Sequence, residues 1–544
     1  MLFNSYPFIF IFLPVTFVGT YLLGRFSSGW AICWLGCASL IFYAYWNLQF
    51  VTLLLGSIIF NYSIAQWIRQ SVIAAATKRK SMLLLLGIIA NLALLGYFKY
   101  TNFFIGSFHE LLGMPFTPLG IILPLGISFF TFTQLAFIVD ISLGSTIEGS
   151  FSRDLLFVTF FPHLIAGPLI HHKQMMPQFS NSDNFRLNSI NISIGLTIFV
   201  LGLAKKVFIA DNFGEIADPI FTAAQSGKNL QFFEAWVGAL SYTLQLYFDF
   251  SAYSEMAIGL SLLFNIRLPL NFNSPYKAQS MIDFWQRWHM SLTKYIWEYL
   301  YTPITVSFMR KGLGRTTLIE TAYTLVIPTL LTFVIIGLWH GANWTYIAFG
   351  TVHGLYLVVN HLWRNYKKRQ RLFQRSRVYP LLACLLTYCA AVFAFVFFRA
   401  DTITAAINIQ SSMFGGSGLS LPAKFQYLFP DLVTHFGARE VVFDGVFPNM
   451  LFKMSNVYIA SILIIGHCVV WGLPNVNQIM CRYQISTQDL ALRGLDNRSR
   501  PAKFFSPLIW KATPYWAIFS GVLFFAIILA MSTYKPSAFL YYQF

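Results

Sequence analysis

Charged residues are scarce in this sequence, and acidic residues are the scarcest. Only 10% of the 544 residues are Asp, Glu, Lys or Arg, and 20 acidic residues stand against 37 basic ones. Hydrophobic residues make up 56% of the chain. This composition excludes an ordinary soluble globular protein. It predicts an all-α polytopic membrane protein, because a helix satisfies its own backbone hydrogen bonds inside the bilayer.

Cysteines are also few, and their spacing forms no metal-binding pattern. The six are Cys33, Cys37, Cys384, Cys389, Cys468 and Cys481, and none belongs to a CxxC pair. The sequence therefore supports neither a disulfide framework nor a zinc site. We expect no metal and no bound cofactor.

Two further absences narrow the class. No internal repeat is visible, whereas many membrane transporters are built from repeats, so a transporter is the less favoured alternative. The first segment, MLFNSYPF, has neither a basic beginning nor a small-residue cleavage site. We therefore expect a retained first membrane span rather than a signal peptide.

What the sequence does contain is a series of apolar runs, each near the roughly 20 residues that cross a bilayer. They lie at 6–23, 29–47, 49–68, 81–98, 190–210, 230–248, 251–266, 318–339, 344–363, 378–398, 457–472 and 514–531. Two less regular stretches, 118–143 and 153–170, are interrupted by proline and glycine. Such segments are tolerated at membrane depth only where protein or a water-filled cavity covers the backbone, so they indicate a functional interior.

The distribution of basic residues predicts topology. A net charge of +17 would also suit nucleic-acid binding, but no basic face alternates with aromatic residues, so we expect no nucleic-acid partner. The loop RNYKKRQRLFQRSR, residues 364–377, contains basic residues and no acidic one. It should be cytoplasmic. Alternation of spans from this loop places the segment 400–455 and the C-terminus outside.

The stretch MIDFWQRWHMSLTKYIWEYLYTP, residues 281–303, combines charge with aromatic residues. Asp283, Arg287, His289, Lys294 and Glu298 alternate with tryptophans and tyrosines. The pattern predicts an amphipathic helix that lies in the membrane interface or enters it partway. Taken alone, it also fits a tryptophan-anchored helix whose histidine merely bonds to the backbone.

Two further histidines lie in or beside apolar spans. The span 318–339 ends in GLWHGANW, which contains His340, and His353 follows within the next span in TVHG. Ionisable residues at membrane depth are costly and are functional candidates by default. Each of the two could instead be a packed core histidine.

Several longer motifs in a shared order resemble the membrane-bound O-acyltransferase (MBOAT) superfamily. They are FPHLIAGPLIHHKQMMPQF, GLAKKVFIADNF, YFDFSAYSEMAIGL, DFWQRWHMSLTKYIWEYLYTPI and GLWHGANWTYIAFGTVHGLYLVVN. Within the superfamily the chain looks most like the branch of alginate and peptidoglycan O-acetyltransferases. The resemblance implies about 11–14 membrane-embedded helices, some re-entrant or broken, around a central pore or funnel. It also implies a bacterial cytoplasmic membrane.

The resemblance assigns roles to the histidines. His340 of the WHG motif and His289 of the RWHMSL motif match the family's central pair, and His340 is the candidate general base, because a neutral imidazole suits proton abstraction near neutral pH. His353, Asp283 and Asp249 are accessory candidates. The chain departs from the commoner pattern at His163, where glutamine is expected, and at His171 and His172, where an Arg/Tyr pair is expected.

The resemblance further implies acetyl-CoA as a cytoplasmic donor and a sugar hydroxyl of an extracytoplasmic polysaccharide as the final acceptor. The phosphates of coenzyme A require cations at the inner face. The donor-binding candidates are Lys277, Arg287, Lys294, Arg310 and Lys311. Most of these residues could equally serve only as positive-inside determinants. A related enzyme with another acyl group, such as D-alanyl, is the alternative.

The chain ends in FLYYQF, residues 539–544, which resembles a C-terminal motif of this branch. The resemblance implies that Tyr541 receives the acyl group and passes it to a serine on an extracytoplasmic partner protein. An aromatic anchor in contact with membrane lipids is the plainer alternative. We divide the chain into N-terminal helices (1–115), a catalytic core (116–365), and C-terminal helices (366–544) that carry the outer segment 400–455 and the tail motif.

Overall fold

The computed structural model describes residues 1–144, 150–312, 314, 316–370, 372–373, 376–422, 424–428, 441–447, 451, 454–488, 506–533 and 537–543. Helices dominate these residues, and the only strands among them are β1 (Leu419–Ser420) and β2 (Val441–Val442), which pair in parallel. The expected all-α membrane fold is confirmed.

The chain divides into two compact units. The first comprises Met1–Ala204, Phe250–Asn271 and Pro474–Phe544, and the second comprises Lys205–Asp249 and Phe272–Leu473. Both units combine segments that are distant in sequence.

The first unit begins with ten helices. They are α1 (Leu13–Gly24), α2 (Ser28–Ala44), α3 (Gln49–Ile73), α4 (Thr77–Leu95), α5 (Thr101–Leu111), α6 (Ile127–Ser142), α7 (Phe151–Thr159), α8 (Phe161–Leu164), α9 (His172–Ser180) and α10 (Ser189–Ala204). In its interior the side-chain amides of Asn61 on α3 and Asn91 on α4 donate to each other at 3.2 and 2.7 Å. Mutual pairing satisfies two amides that burial would otherwise leave without partners.

The second unit contains the candidate site. Its helices are α11 (Asp211–Gln225), the first part of α12 (Phe232–Leu263), α13 (Met281–Trp285), α14 (Met290–Ile296), α15 (Thr302–Gly312), α16 (Thr317–Thr321), α17 (Ile327–His340), α18 (Trp344–Arg369), α19 (Tyr379–Arg399), α20 (Ile403–Met413), α21 (Lys424–Leu428) and α22 (Asn456–Gly472). The chain then returns to the first unit with α23 (Val476–Ile479) and α24 (Pro514–Thr533).

Short π-helical and 3-10 turns interrupt or flank these helices. The π-helical turns are Phe8–Phe12, Gly96–Tyr100, Lys205–Ala210, Trp297–Tyr301 and Ala322–Val326. The 3-10 turns are Ser182–Phe185, Pro275–Lys277, Ser506–Leu508 and Leu540–Gln543. π-helical turns inside α-helices occur frequently at functional sites.

Six helical segments within the described residues are long and apolar enough to cross a membrane. They are Gln49–Ile73, Thr77–Leu111, Ser189–Gln225, Thr317–His340, Tyr379–Arg399 and Pro514–Thr533. Shorter apolar helices occur at Phe8–Gly24, Ser28–Ala44, Ile127–Ser142 and Asn456–Gly472. These segments account for most of the apolar runs in the sequence.

Two expectations about the spans have different outcomes. The predicted spans 230–248 and 251–266 belong to one continuous helix, α12, of 32 residues, so their division is wrong. Neither glycine nor proline interrupts the sequence around Asp249, and that carboxylate is neutralised locally, as described below. The stretches 118–143 and 153–170 are broken as expected: α6 begins only after Gly126, whose φ is +71°, and α7 and α8 are separated at Phe160.

Candidate active site

His289 lies in a break between two short helices. Its backbone is left-handed, with φ 44° and ψ 52°, and it is the residue before α14. The Thr293 hydroxyl holds the break by donating to the carbonyl of Trp285 at 3.1 Å. A left-handed non-glycine residue costs about 1–3 kcal/mol and is typical of functional sites. The stretch 281–303 is therefore not the single amphipathic helix that its sequence predicts, because the backbone reverses its twist at the histidine.

His340 is the last residue of α17 and is buried. Its imidazole ring contacts the rings of Trp339 at 4.9 Å, Phe398 at 5.1 Å and Phe349 at 5.9 Å between centroids. The following residue, Gly341, lies where a Cβ would collide with the ring of Tyr346. The helix therefore ends at the histidine in a space that tolerates no larger residue after it.

The α17–α18 hairpin is packed closely through glycines. A Cβ on Gly337 would collide with the carbonyl oxygen of Tyr346, and one on Gly350 would collide with the carbonyl oxygen of Phe333. Small residues allow such a close approach of helix backbones in membranes. At the turn, Asn343 accepts from the Thr345 amide at 3.1 Å and donates to the Asp401 carbonyl at 2.9 Å. The end of α17 that carries His340 is thereby fixed.

The structure brings His289 and His340 to one indole ring. The centroids of His289 and Trp339 lie 6.5 Å apart, and Trp339 directly precedes His340. Both histidines are buried, at 1% and 6% exposure. Both predicted histidines therefore lie beside the Trp339 ring in the second unit, although nothing in this arrangement assigns a chemical role to either imidazole.

His353 lies in an aromatic surrounding on α18. Its ring is 4.6 Å from that of Phe349, which also contacts His340, and 5.1 Å from that of Trp285. Both of its ring nitrogens are buried and have no hydrogen-bond partner among the residues that the structure describes. A buried imidazole in this state carries the cost of lost hydration.

A cavity of about 210 Å³ is lined by residues of α13, α14, α17 and α18, the helices that carry or flank the three histidines. Its lining is largely apolar, and the members with a polar side-chain group are Trp285, Gln286, Thr293, Trp297, Tyr301, Thr329, Thr332 and His361. Two apolar members relate it to the site: Ile336 lies one helical turn before His340, and Leu357 lies one turn after His353. Because α17 and α18 are antiparallel, the cavity lies on the side of His340 nearer the basic end of α18, Lys367 to Arg369.

The basic candidates are distributed over three places. Lys277 donates from Nζ to the Leu473 carbonyl at 3.0 Å, and Arg287 donates from Nε to Asp283 at 2.7 Å. Burial and, to a lesser extent, the charge of Arg287 lower the pKa of Lys277. Lys294 lies 3.9 Å from Glu298. The remaining pair, Arg310 and Lys311, occupies the last turn of α15.

Asp249 forms a buried ion cluster that the sequence did not reveal. Lys206 donates to Asp249 at 2.7 Å and lies 2.8 Å from Asp211. The signal that could have identified Lys206 is a Lys-Lys pair inside an apolar span, GLAKKVFIAD. A lysine and its carboxylates at membrane depth compensate each other's desolvation.

The loop that departs from the family pattern is buried in the first unit. His163 Nε2 bonds to the Phe157 carbonyl at 3.0 Å, and His172 Nε2 bonds to Asp154 at 3.3 Å. His171 is buried beside them. His163 and His172 therefore both bond to helix α7.

The C-terminal tail also packs in the first unit. The ring of Tyr541 lies 4.2 Å from that of Phe250 and 5.8 Å from that of Phe129. Phe539 contacts Tyr253 at 5.1 Å, and Asn4 donates to the Ser537 carbonyl at 3.1 Å. Tyr541 is 8% exposed. The tail is therefore docked onto the protein, whereas Phe544 lies outside the described residues.

The apolar helices and the paired buried histidines define a polytopic membrane protein with a candidate acyl-transfer site. The sequence profile of the membrane-bound O-acyltransferase family matches residues 148–399, which include His289, His340 and His353. A peptidoglycan O-acetyltransferase of Helicobacter pylori is 43% identical over 448 residues, covering 77% of this chain and 81% of the relative. The chain belongs to the membrane-bound O-acyltransferase family.

Two other relatives differ in extent. A probable alginate O-acetylase AlgI of Pseudomonas aeruginosa is 39% identical over 422 residues, covering 76% of this chain and 75% of the relative. A teichoic acid D-alanyltransferase of Streptococcus thermophilus is 31% identical over 248 residues, covering 45% and 58%. The similarity to the O-acetyltransferases therefore extends over much more of the chain.

Proposed function

We propose that the protein is a membrane O-acetyltransferase that takes acetyl groups from acetyl-CoA at the cytoplasmic face and passes them toward hydroxyls of an extracytoplasmic polysaccharide. The observation that carries this proposal is the pair His289 and His340, which reach one indole beside a mostly apolar cavity. The extensive similarity to O-acetyltransferases supports the acetyl group over D-alanyl.

In this proposal the cavity holds the pantetheine arm of the donor. That arm is a slender chain with two amides, so it suits apolar walls interrupted by a few polar groups. Trp285 and Thr332 line the cavity. The indole Nε1 of the first and the hydroxyl of the second are buried without a hydrogen-bond partner among the described residues. An amide of the bound donor would form hydrogen bonds with both groups.

Several of the basic candidates would hold the phosphates of coenzyme A. Lys277 and Arg287 are the favoured pair because the charge of Arg287 contributes to the lowered pKa of Lys277, and a phosphate between two like charges would stabilise both. Lys294, Arg310 and Lys311 would add to the positive potential that draws the donor in. The cavity lies toward the basic end of α18, Lys367 to Arg369, which the positive-inside rule places in the cytoplasm.

The chemistry is an acyl transfer with His340 as general base. A neutral imidazole removes the proton of the attacking hydroxyl, and His289 orients the thioester carbonyl or donates to its developing oxyanion. The receiving hydroxyl is that of Tyr541. A phenol, with a pKa of about 10, is a better leaving group than an alcohol, so the acetyl group keeps its transfer potential. It then passes to a serine of an extracytoplasmic partner protein and on to the polymer.

The test compares one variant with a control. His340→Ala should abolish polymer acetylation while the protein still accumulates in the membrane, because the substitution removes the base and leaves the apolar helices intact. His109→Ala, a histidine on α5 in the first unit, is the control and should be silent. Near-normal acetylation by His340→Ala would refute the assignment. An assay with D-alanyl carrier protein in place of acetyl-CoA as the donor tests the alternative, which is transfer of D-alanyl groups.

A further inference from the structure

A short turn in the second unit carries Lys277, one of the cations that the proposed function assigns to the donor phosphates. Ser274, directly before the 3-10 turn Pro275–Lys277, is left-handed, with φ 49° and ψ 61°. In a residue other than glycine, such a conformation persists only where the surrounding structure holds it. On one side the turn is tied to Arg287, because the Asn273 amide donates to the Arg287 carbonyl at 3.0 Å. The place of Lys277 depends on what holds the other side.

The end of helix α22 holds that other side, although it is distant in sequence. The indole Nε1 of Trp471 donates to the carbonyl of Tyr276, the residue before Lys277, at 3.2 Å. Lys277 itself donates from Nζ to the carbonyl of Leu473, the residue after α22, at 3.0 Å. An ammonium has three N–H donors, so this bond directs the side chain without exhausting its capacity to bind an anion. The end of α22 therefore holds both the backbone and the side chain of the turn.

The indole of Trp471 is itself fixed by a hydrogen-bonded pair between α19 and α22. The Tyr388 hydroxyl lies 2.8 Å from Nε2 of His467, whose Nδ1 lies 2.7 Å from the Leu463 carbonyl. A carbonyl only accepts, so Nδ1 of the neutral imidazole carries the proton and Nε2 accepts from Tyr388. The ring of Trp471 packs against both side chains, 5.2 Å from each between centroids. This packing holds the indole where its N–H meets the Tyr276 carbonyl.

We propose that Trp471 is a positioning residue of the donor site, which holds Lys277 through the Tyr276 carbonyl so that the ammonium can bind a phosphate of coenzyme A. The inference rests on the proposed phosphate-binding role of Lys277. The family profile ends at residue 399, whereas α22 begins at Asn456. A helix beyond the matched region thus completes the donor site.

An aromatic anchor in the membrane interface is the plainer alternative for Trp471. The residue is 41% exposed and lies at the end of an apolar helix, where tryptophans are enriched. An anchor directs its N–H toward the headgroups, whereas Trp471 donates to the Tyr276 carbonyl. The two roles also differ in their consequences, since an anchor has no reason to affect donors with and without phosphates differently.

The first test compares acetyl-CoA with S-acetylpantetheine, a donor that lacks the phosphates. Trp471→Phe removes the N–H and keeps an aromatic ring. Loss of this one bond should raise KM for acetyl-CoA about three- to tenfold, leave kcat within about twofold, and leave kcat/KM for S-acetylpantetheine unchanged. Thiol release by the full-length protein in membrane vesicles gives the rates. An unchanged KM for acetyl-CoA, or an equal loss with both donors, overturns the proposal.

Trp236→Phe is the matched control. The Trp236 Nε1 donates to the Met413 carbonyl at 2.9 Å in the same unit, so the same type of bond is lost away from the Lys277 turn. This variant should leave KM for acetyl-CoA unchanged. If it raises KM as much as Trp471→Phe does, the effect is a general loosening of the unit, and the positioning role is overturned.

Lys277→Met separates the inference from the donor site on which it rests. It should raise KM for acetyl-CoA, and adding Trp471→Phe should then change KM little further, because both substitutions remove one and the same contact. Full additivity of the two effects overturns the positioning role alone, as does a silent Trp471→Phe beside an impaired Lys277→Met. An unchanged KM in Lys277→Met refutes the phosphate site and the inference with it.

Discussion

The imidazole of His289 and the indole of Trp339 lie 6.5 Å apart between ring centroids, which brings two distant motifs of the sequence to one point. Trp339 also contacts His340 at 4.9 Å. Different features fix the two histidines. The backbone is left-handed at His289, and the glycine-packed α17–α18 hairpin carries His340. Such independent supports would hold the two groups in place if both act on one carbonyl, as proposed.

We expect the buried imidazole of His353 to lower the stability of the folded protein. Its buried ring nitrogens have no hydrogen-bond partner within the described part of the chain, which costs about 1–3 kcal/mol. His353→Phe should therefore raise the melting temperature of the purified protein by a few degrees and lower the acetyl-transfer rate. The measurement is a thermal unfolding curve beside an activity assay. A destabilised His353→Phe would show that the imidazole is satisfied and purely structural.

The glycine packing of the α17–α18 hairpin predicts a sharp position dependence. Gly350→Ala should destabilise the protein and reduce accumulation, because the new methyl group would collide with the Phe333 carbonyl oxygen. Gly56→Ala on α3 is the matched control, since a Cβ there has no neighbour within 4 Å, and it should be neutral or slightly stabilising. Equal accumulation and equal melting temperatures for the two variants would contradict the close packing.

The fold was predictable where composition alone decides it. Apolar runs such as 49–68 and 514–531 became α3 and α24, since a long uncharged run has few alternatives to a membrane helix. The prediction of two spans in place of α12 was wrong because the charge of Asp249 was taken to end a span. Lys206, from another helix, neutralises that charge. Long-range compensation of charge is invisible in a local window.

The sequence predicted which residues form the site better than it predicted the backbone conformation there. The motifs identified His289 and His340, and the structure places them together. The left-handed break at His289 was missed, because a stretch rich in tryptophan and charge has the pattern of one amphipathic helix.

The ion cluster around Lys206 should behave as a coupled unit. Lys206→Met leaves Asp211 and Asp249 facing each other without the ammonium, and breaking a buried pair in this way costs about 3–5 kcal/mol. Adding Asp249→Asn should recover part of that loss, since one uncompensated carboxylate is removed. Lys228→Met, at an exposed position, is the control. Thermal stabilities of the wild type, of the single variants Lys206→Met and Asp249→Asn and of the double variant test this cycle, and strictly additive losses would contradict it.

Topology can be tested with single cysteines in a background without the six native ones. A cysteine at Lys368, in the basic stretch at the end of α18, should be shielded from an impermeant thiol reagent in intact cells, because positive charge is retained in the cytoplasm. A cysteine at Ser417, beyond α20, should react. The reverse labelling would place the donor cavity and the tail on the wrong sides for the proposed transfer.

The cavity offers the sharpest contrast between two neighbouring residues. Ile336 lines it and is 4% exposed, whereas Ile335 on the same helix is 37% exposed and does not line it. Ile336→Phe should fill the space meant for the pantetheine arm and raise the KM for acetyl-CoA about tenfold or more, because the added ring displaces ligand atoms from a preformed pocket. Ile335→Phe adds the same volume on the other side and should leave KM unchanged. Initial rates at varied acetyl-CoA concentration, measured on equal amounts of folded protein, compare the two variants. If both raise KM equally, the effect comes from general distortion of α17. If neither does, acetyl-CoA reaches His340 by a route other than this cavity.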